Sequence, residues 1–215
     1  MASAQEKVFI FNLLRGIDDP VIVELGAHLG EEEFWIRGCC KEQPHYIMVE
    51  PDTRNLHHIR KNMLNYKHIL YAGAISDKNG ECDFHLCENI HEPHMWAHAS
   101  GSIHKPTGHL SKFPFIKFDN TVIVKTFTLD EIFAENNLSK IDLLWVDIQG
   151  AEKEMIAGGQ NALKYTRYIF MEAEYEEMYE GEALKQELIT MLPDFTLIGD
   201  FDFNIVLRNT LWQNH

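Results

Sequence analysis

The chain has 215 residues, 45% of them hydrophobic and 24% charged, which suffices for one well-cored globular domain. Its 19 Lys and Arg against 33 Asp and Glu leave a formal net charge of −14, a balance that repels phosphate backbones and anionic lipid. Nucleic-acid and membrane-surface binding are therefore poor readings, and no apolar run reaches the roughly 18 residues of a membrane span.

Residues 1–7 lack the basic start and apolar core of a secretory signal. The four cysteines (Cys39, Cys40, Cys82 and Cys87) show no Cys-x-x-Cys spacing, so reduced thiols in a cytoplasmic protein are expected.

Apolar runs of strand length fall at 21–25, 46–49, 69–72, 141–146, 168–171, 195–198 and 205–207. Several are nearly continuous, the pattern of strands covered on both faces. Helical patterns lie between them. Leu56, Ile59 and Met63 line a helix capped by Asp52 or Thr53. A further strand is expected at 81–86. Thr128-Leu129-Asp130-Glu131 reads as a capping box opening a short helix that buries Ile132 and Phe133. Residues 151–157 form a helix stopped by Gly158 and Gly159, and Leu184, Leu188 and Met191 line another that ends at Pro193. Strand–helix alternation predicts crossovers and a mainly parallel sheet. The last two runs, joined through 199–204, predict an antiparallel hairpin at its end.

Residues 88–120 break this rhythm, with three prolines (Pro93, Pro106, Pro114) and few aliphatics; half of the twelve histidines fall between His85 and His109. A segment of this length without regular structure is expected to be an insertion over the C-terminal edge of the sheet, where ligands sit in such folds.

The first strand ends in Glu24-Leu25-Gly26-Ala27-His28-Leu29-Gly30. Gly26 permits a tight turn and Gly30 a close helix, so a ligand can approach the backbone of Ala27 and His28. Glu24 at the strand end can hold an amino group, directly or through water. A dinucleotide pyrophosphate would instead want a bare helix N-terminus with no acid beside it. The second run ends in Glu50-Pro51-Asp52; Glu50 can accept both ribose hydroxyls of a nucleoside, or cap the next helix. Together these motifs point to S-adenosylmethionine over NAD. After the third run, Ser76 and Asp77 either reach the adenine or form a surface turn. Asp147, ending the run Leu143-Leu144-Trp145-Val146, faces the same crevice as Glu24, and a buried acid without a partner implies a function.

The pattern resembles the FkbM-type methyltransferases, a branch of the class I S-adenosylmethionine-dependent methyltransferases. The resemblance rests on Glu24-Leu25-Gly26-Ala27-His28-Leu29-Gly30, Val49-Glu50-Pro51, Ala74-Ile75-Ser76-Asp77 with Gly80, Thr128-Leu129-Asp130, Asp147-Ile148-Gln149-Gly150-Ala151-Glu152 and Ile169-Phe170-Met171-Glu172. These run in family order over about residues 20–175. The resemblance implies a single Rossmann-like α/β domain over 1–215, a seven-stranded, mostly parallel sheet with an antiparallel last strand, and helices on both faces. It also implies methyl transfer to the oxygen of a small-molecule hydroxyl, such as that of a saccharide, with S-adenosylhomocysteine as product. The 88–120 insertion would form the acceptor site or a lid, and Ser102, in a small-residue stretch, would lie near the cofactor. The family often has Asp where Glu24 stands, Asn where His28 stands, and Glu where Gln149 stands.

A hydroxyl acceptor benefits from a base. Asp147, Glu172 and an insertion histidine are the candidates, His98 foremost, with His94 and His104 beside it. His94 and His98 have metal-ligand spacing on a helix, but Pro93 and Gly101 argue against a helix there, so no metal is expected. The acidic run from Glu172 to Glu182 is a solvated face, or binds a polyol or a cationic acceptor through Glu172 and Glu174. Two other classes stay open: a non-catalytic S-adenosylmethionine-binding module, with Gln149 marking lost chemistry, and an NAD-dependent oxidoreductase.

Overall fold

The computed structural model describes residues 2–89 and 98–212. Its main sheet has seven strands: β1 (Val21–Leu25), β2 (His45–Glu50), β3 (His68–Ala72), β7 (Ile141–Val146), β8 (Thr166–Glu172), β9 (Phe195–Asp200) and β10 (Asn204–Asn209), in the order β3-β2-β1-β7-β8-β10-β9. The first five are parallel, and β10 runs antiparallel to both of its neighbours. The expected terminal hairpin exists, with the last strand inserted inside the sheet and β9 left at the edge.

The continuous apolar runs alternate between two cores, as period-2 geometry requires. Ile22, Tyr46, Met48, Leu143 and Trp145 face one side, packed on α1 (Ala4–Leu14), α2 (Glu31–Cys39) and α3 (Thr53–Asn62) through Ile10, Leu14, Ile36 and Ile59. Val23, Ile47, Leu144 and Val146 face the other, against α5 (Leu129–Glu135), α6 (Glu152–Gly158) and α7 (Lys185–Met191) through Leu129, Ile132, Met155 and Leu188. Chain direction diverges between β1 and β7. The crevice above their C-terminal ends is where a sheet of this order receives ligands.

A second sheet, β4-β6-β5, stands beside that crevice. β5 (Gly80–Asn89) and β6 (Ile116–Phe127) form an antiparallel pair, and β4 (Ala74–Ile75) adds in parallel to β6. The 88–120 segment thus begins in β5 and ends in β6 rather than being a wholly irregular insertion. It carries α4 (Gly108–Lys112), and its backbone is tied to the 178–180 segment: Thr107 and His109 N–H donate to the Met178 carbonyl, and Glu180 N–H to Lys105. The β6 run hides its identity because few of its side chains, such as Ile116, Val124 and Thr126, are buried while Val122 and Ile123 are exposed.

One local reading needs correction. Thr128 accepts from Glu131 N–H at 3.0 Å, but its own N–H goes to Asn79 Oδ1 at 2.8 Å, so only half of the expected capping box forms. The reciprocal box stands instead at the start of α1, which sequence patterning left unread. Ser3 Oγ accepts from Glu6 N–H, and Ser3 N–H donates to Glu6 Oε2. Glu6 also accepts from Asn204 of β10 at 2.8 Å, which docks the helix to the sheet. Ser3→Ala removes half of this box and is expected to lower unfolding free energy by about 1 kcal/mol in urea titration, without changing the slope of the transition.

Candidate functional site

The turn after β1 is dictated by crowding. Gly26 has φ +82°, and a Cβ there would lie 1.8 Å from the Asp147 carbonyl oxygen, so only glycine lets β1 and β7 exit side by side. The N–H groups of Gly26 and Ala27 donate to the Val49 carbonyl, and Asp147 N–H to the Leu25 carbonyl. Three strand ends are stitched together, and each carries an acid: Glu24, Glu50 and Asp147.

These acids border a cavity of about 790 Å³. Glu50 is buried, and both of its oxygens are engaged: Oε2 by His28 N–H at 2.7 Å, Oε1 by Asp52 N–H at 2.8 Å and Asn55 Nδ2 at 3.2 Å. Burial pushes its carboxyl up to about 7 against these donors. Glu24 is fully enclosed and accepts from the Tyr46 hydroxyl at 2.8 Å; burial raises it well above the usual carboxylate range, and the tyrosine only partly offsets that.

At the N-terminus of α2, Glu31 has turned back on its own loop. One oxygen accepts from Leu29 N–H at 2.9 Å, and the other meets His28 Nδ1 at 2.7 Å. Burial opposes protonation of His28, but Glu31, Glu50 and Asp147 outweigh it and raise its pKa. Ile75 and Phe84, contributed by the second sheet, and Val49 and Ile103 form an apolar wall opposite.

Gln149 (φ +53°) joins this cavity to a neighbouring one. Its Nε2 donates to Asp147 Oδ1 and to Glu172 Oε2, each at 2.7 Å, and its Oε1 accepts from the Tyr179 hydroxyl at 2.8 Å. Burial first, then the charges of Asp147 and Glu152, push Glu172 well above its ordinary range, and burial takes Glu152 up to about 8.

Of the residues singled out from sequence, Glu24, Gly26, Ala27, His28, Glu50 and Asp147 border the first cavity, and so does His98. Burial and Arg54 keep the His98 imidazole below its usual pKa. Glu172 borders the neighbouring cavity. Gly30 caps α2 beneath the turn, against Met63 and Met48.

Ser76 and Asp77 lie outside the cavity lining; Gly73, Ala74 and Ile75 take that place. Ser102 is also set back. Its hydroxyl donates to the Gln149 carbonyl at 2.6 Å, and its backbone bridges to His85. His104 faces Glu154 at 3.3 Å, and His94 lies outside the described residues. Tyr179 and His109 went unread. Tyr179 sits in an acidic run that resembles a solvated face, and only the fold brings it to Gln149.

A family model described as the methyltransferase FkbM domain matches residues 24–201. The chain is 37% identical over 199 residues to the 2-O-methyltransferase NoeI of Sinorhizobium fredii (strain NBRC 101917 / NGR234), covering 89% of this chain and 80% of that one. Among solved structures it is similar to methyltransferase FkbM from Methylobacillus flagellatus KT, with TM-score 0.59 and 16% identity over 92% of this chain; it spans 45% of that longer chain. A methyltransferase from Geobacter sulfurreducens shares TM-score 0.52 and 12% identity, covering 99% of this chain and 82% of that one. At these identities the two structures show a common fold.

A carboxyl whose pKa is raised by folding holds its proton longer in the native state than in the unfolded chain. Its contribution to stability is complete below the unfolded value and is lost as pH rises through the folded one. For Glu50 that window runs from 4.5 to about 7. Melting temperature is expected to fall from about pH 5 to about pH 8, and Glu50→Gln to flatten the loss by about 3 kcal/mol, read from urea titrations across that range.

Proposed function

The chain belongs to the FkbM methyltransferase family and is a methyltransferase, and on that premise we propose that it methylates a hydroxyl oxygen of a sugar or other small molecule, using S-adenosylmethionine. The observation that carries the cofactor is the charge pattern of the first cavity. Among the described residues, five carboxyl groups border it and no Lys or Arg does. Glu31 occupies the α2 N-terminus, the position that a dinucleotide pyrophosphate would need. Such a cavity repels NAD and suits a ligand with ribose hydroxyls, an ammonium and a sulfonium.

When bound, S-adenosylmethionine supplies a methyl group activated by positively charged sulfur. Glu50 accepts from the ribose at Oε2, where its single donor, the His28 N–H, leaves a lone pair. Glu24 and Asp147 face the cationic amino-acid end, and the Ile75–Phe84 wall takes the purine. The residues of the second cavity hold the acceptor oxygen in line with the methyl carbon, and this alignment supplies most of the rate enhancement. The acceptor's proton passes to the Asp147–Glu172 pair, which the Gln149 amide keeps together.

The name of NoeI, a 2-O-methyltransferase, supports oxygen as the methylated atom. Gln149 has a positioning use that supports the catalytic reading: both of its N–H hydrogens and its carbonyl are engaged. Within the 88–120 segment, described residues between His98 and Phe113 line both cavities, which supports placing that segment on the acceptor side of a single domain.

Calorimetric titration tests this. S-Adenosylmethionine and S-adenosylhomocysteine are expected to bind in the micromolar range, and Glu50→Ala to weaken both by about 100-fold through the loss of a charge-assisted hydrogen bond. Binding of NAD with no binding of S-adenosylhomocysteine would overturn the assignment.

A further inference from the structure

The second cavity, of about 720 Å³, shares Ala99, Asp147 and Gln149 with the first. Its walls divide by chemistry. Asp147, Glu172, Glu174 and Glu182 bring carboxyl groups, Phe113 and Tyr179 bring ring faces, and no Lys or Arg is among the lining residues described.

Hydrogen-bond supply in this wall is one-sided. Both N–H hydrogens of Gln149 go to Asp147 and Glu172. Glu182 Oε2 takes the backbone N–H groups of Met178 and Tyr179 at 2.7 and 3.1 Å. The Tyr179 hydroxyl is shared between Gln149 Oε1 and the Ser100 carbonyl. Two buried atoms are left with no partner: Glu174 Oε2 and His109 Nδ1.

His109 is only 4% exposed, enclosed by the rings of Phe113, Phe118 and Tyr179 at centroid distances of 5.0, 5.3 and 5.5 Å. Burial lowers its pKa to about 4, so it is neutral, and Nδ1 offers a lone pair in the tautomer that carries its hydrogen on Nε2. Lys112, the cation that acts on Glu174, is exposed and pairs with Glu176 at 3.3 Å.

Desolvated acceptors that no protein donor meets call for a ligand that brings donors. A carboxylate- or phosphate-bearing molecule would add acceptors and like charge. An ammonium brings three N–H donors, no acceptor and the opposite charge, and it is stabilised over aromatic faces.

We propose that this cavity is the acceptor subsite and that it selects acceptors carrying a protonated primary amine, seated against Glu174 and Glu172 beside the Phe113 and Tyr179 rings. The inference rests on the methyltransferase reading above and narrows its substrate class. Burial and mutual repulsion hold Glu172, Glu174 and Glu182 above their ordinary pKa values, and a bound cation relieves that repulsion.

The test is a two-step titration of the full chain, wild type and Glu174→Gln, at about pH 7, where primary amines of this class carry protons. S-Adenosylhomocysteine is added first. Glucosamine, glucose and N-acetylglucosamine are then added separately to the saturated complex. Glucosamine is expected to bind about tenfold or more tightly than either neutral sugar. Glu174→Gln should bring it down to their level while leaving S-adenosylhomocysteine affinity intact, which shows that the variant is folded. Equal affinity for the three sugars, preference for a neutral one, or no binding of glucosamine would overturn the selectivity. Absence of S-adenosylhomocysteine binding in the first step would overturn the methyltransferase reading and the subsite with it.

Discussion

The site depends on one close approach, that of the Gly26 backbone to the Asp147 carbonyl. Parallel strands leave a sheet in the same direction, so their exit turns compete for space above it. Here the competition between β1 and β7 is resolved by a residue without a side chain, in a left-handed conformation open to few others. The adjoining N–H groups of Gly26 and Ala27 then reach across to the Val49 carbonyl. Glu24, Glu50 and Asp147 converge on one crevice because three main chains do.

Bringing carboxyl groups together in a buried place is costly, and the protein meets that cost with neutral donors rather than with cations. Glu50 is held by two backbone N–H groups and the Asn55 amide, Glu24 by the Tyr46 hydroxyl, and the Asp147–Glu172 pair by one glutamine amide. An arginine in any of these places would neutralise the acids permanently. Dipolar partners leave negative potential to act on whatever enters, as the proposed binding of a sulfonium and removal of a proton require.

The half of the site built on the main sheet was legible in the sequence because its signals are local. An apolar run, an acid and a glycine turn follow one another in Val21 to Gly30, again from Leu143 to Gly150, and, without a glycine, at Glu50. The other half rests on tertiary placement. Tyr179 reaches Gln149 across 30 positions, and His109 is buried by rings gathered from the C-cap of α4, from β6 and from the 178–180 segment. β6 went unread because its exposed Val122 and Ile123 break the expected alternation. Ser76 and Ser102 fit their motif positions, yet the structure sets them behind the wall, where Ser102 pins the Gln149 turn.

The backbone ties between residues 105–109 and 178–180 divide the molecule by what its parts are made from. The proposed cofactor half is built mainly on strand ends, whose positions follow from ladder register and cannot shift without disturbing the core. The proposed acceptor half adds, to the strand-end acids Asp147 and Glu172, two loops laced to each other by main-chain bonds. Changes at Phe113, Glu174 or Glu182 leave the sheet untouched. One fold can therefore keep its methyl donor fixed while lineages exchange the molecules they modify.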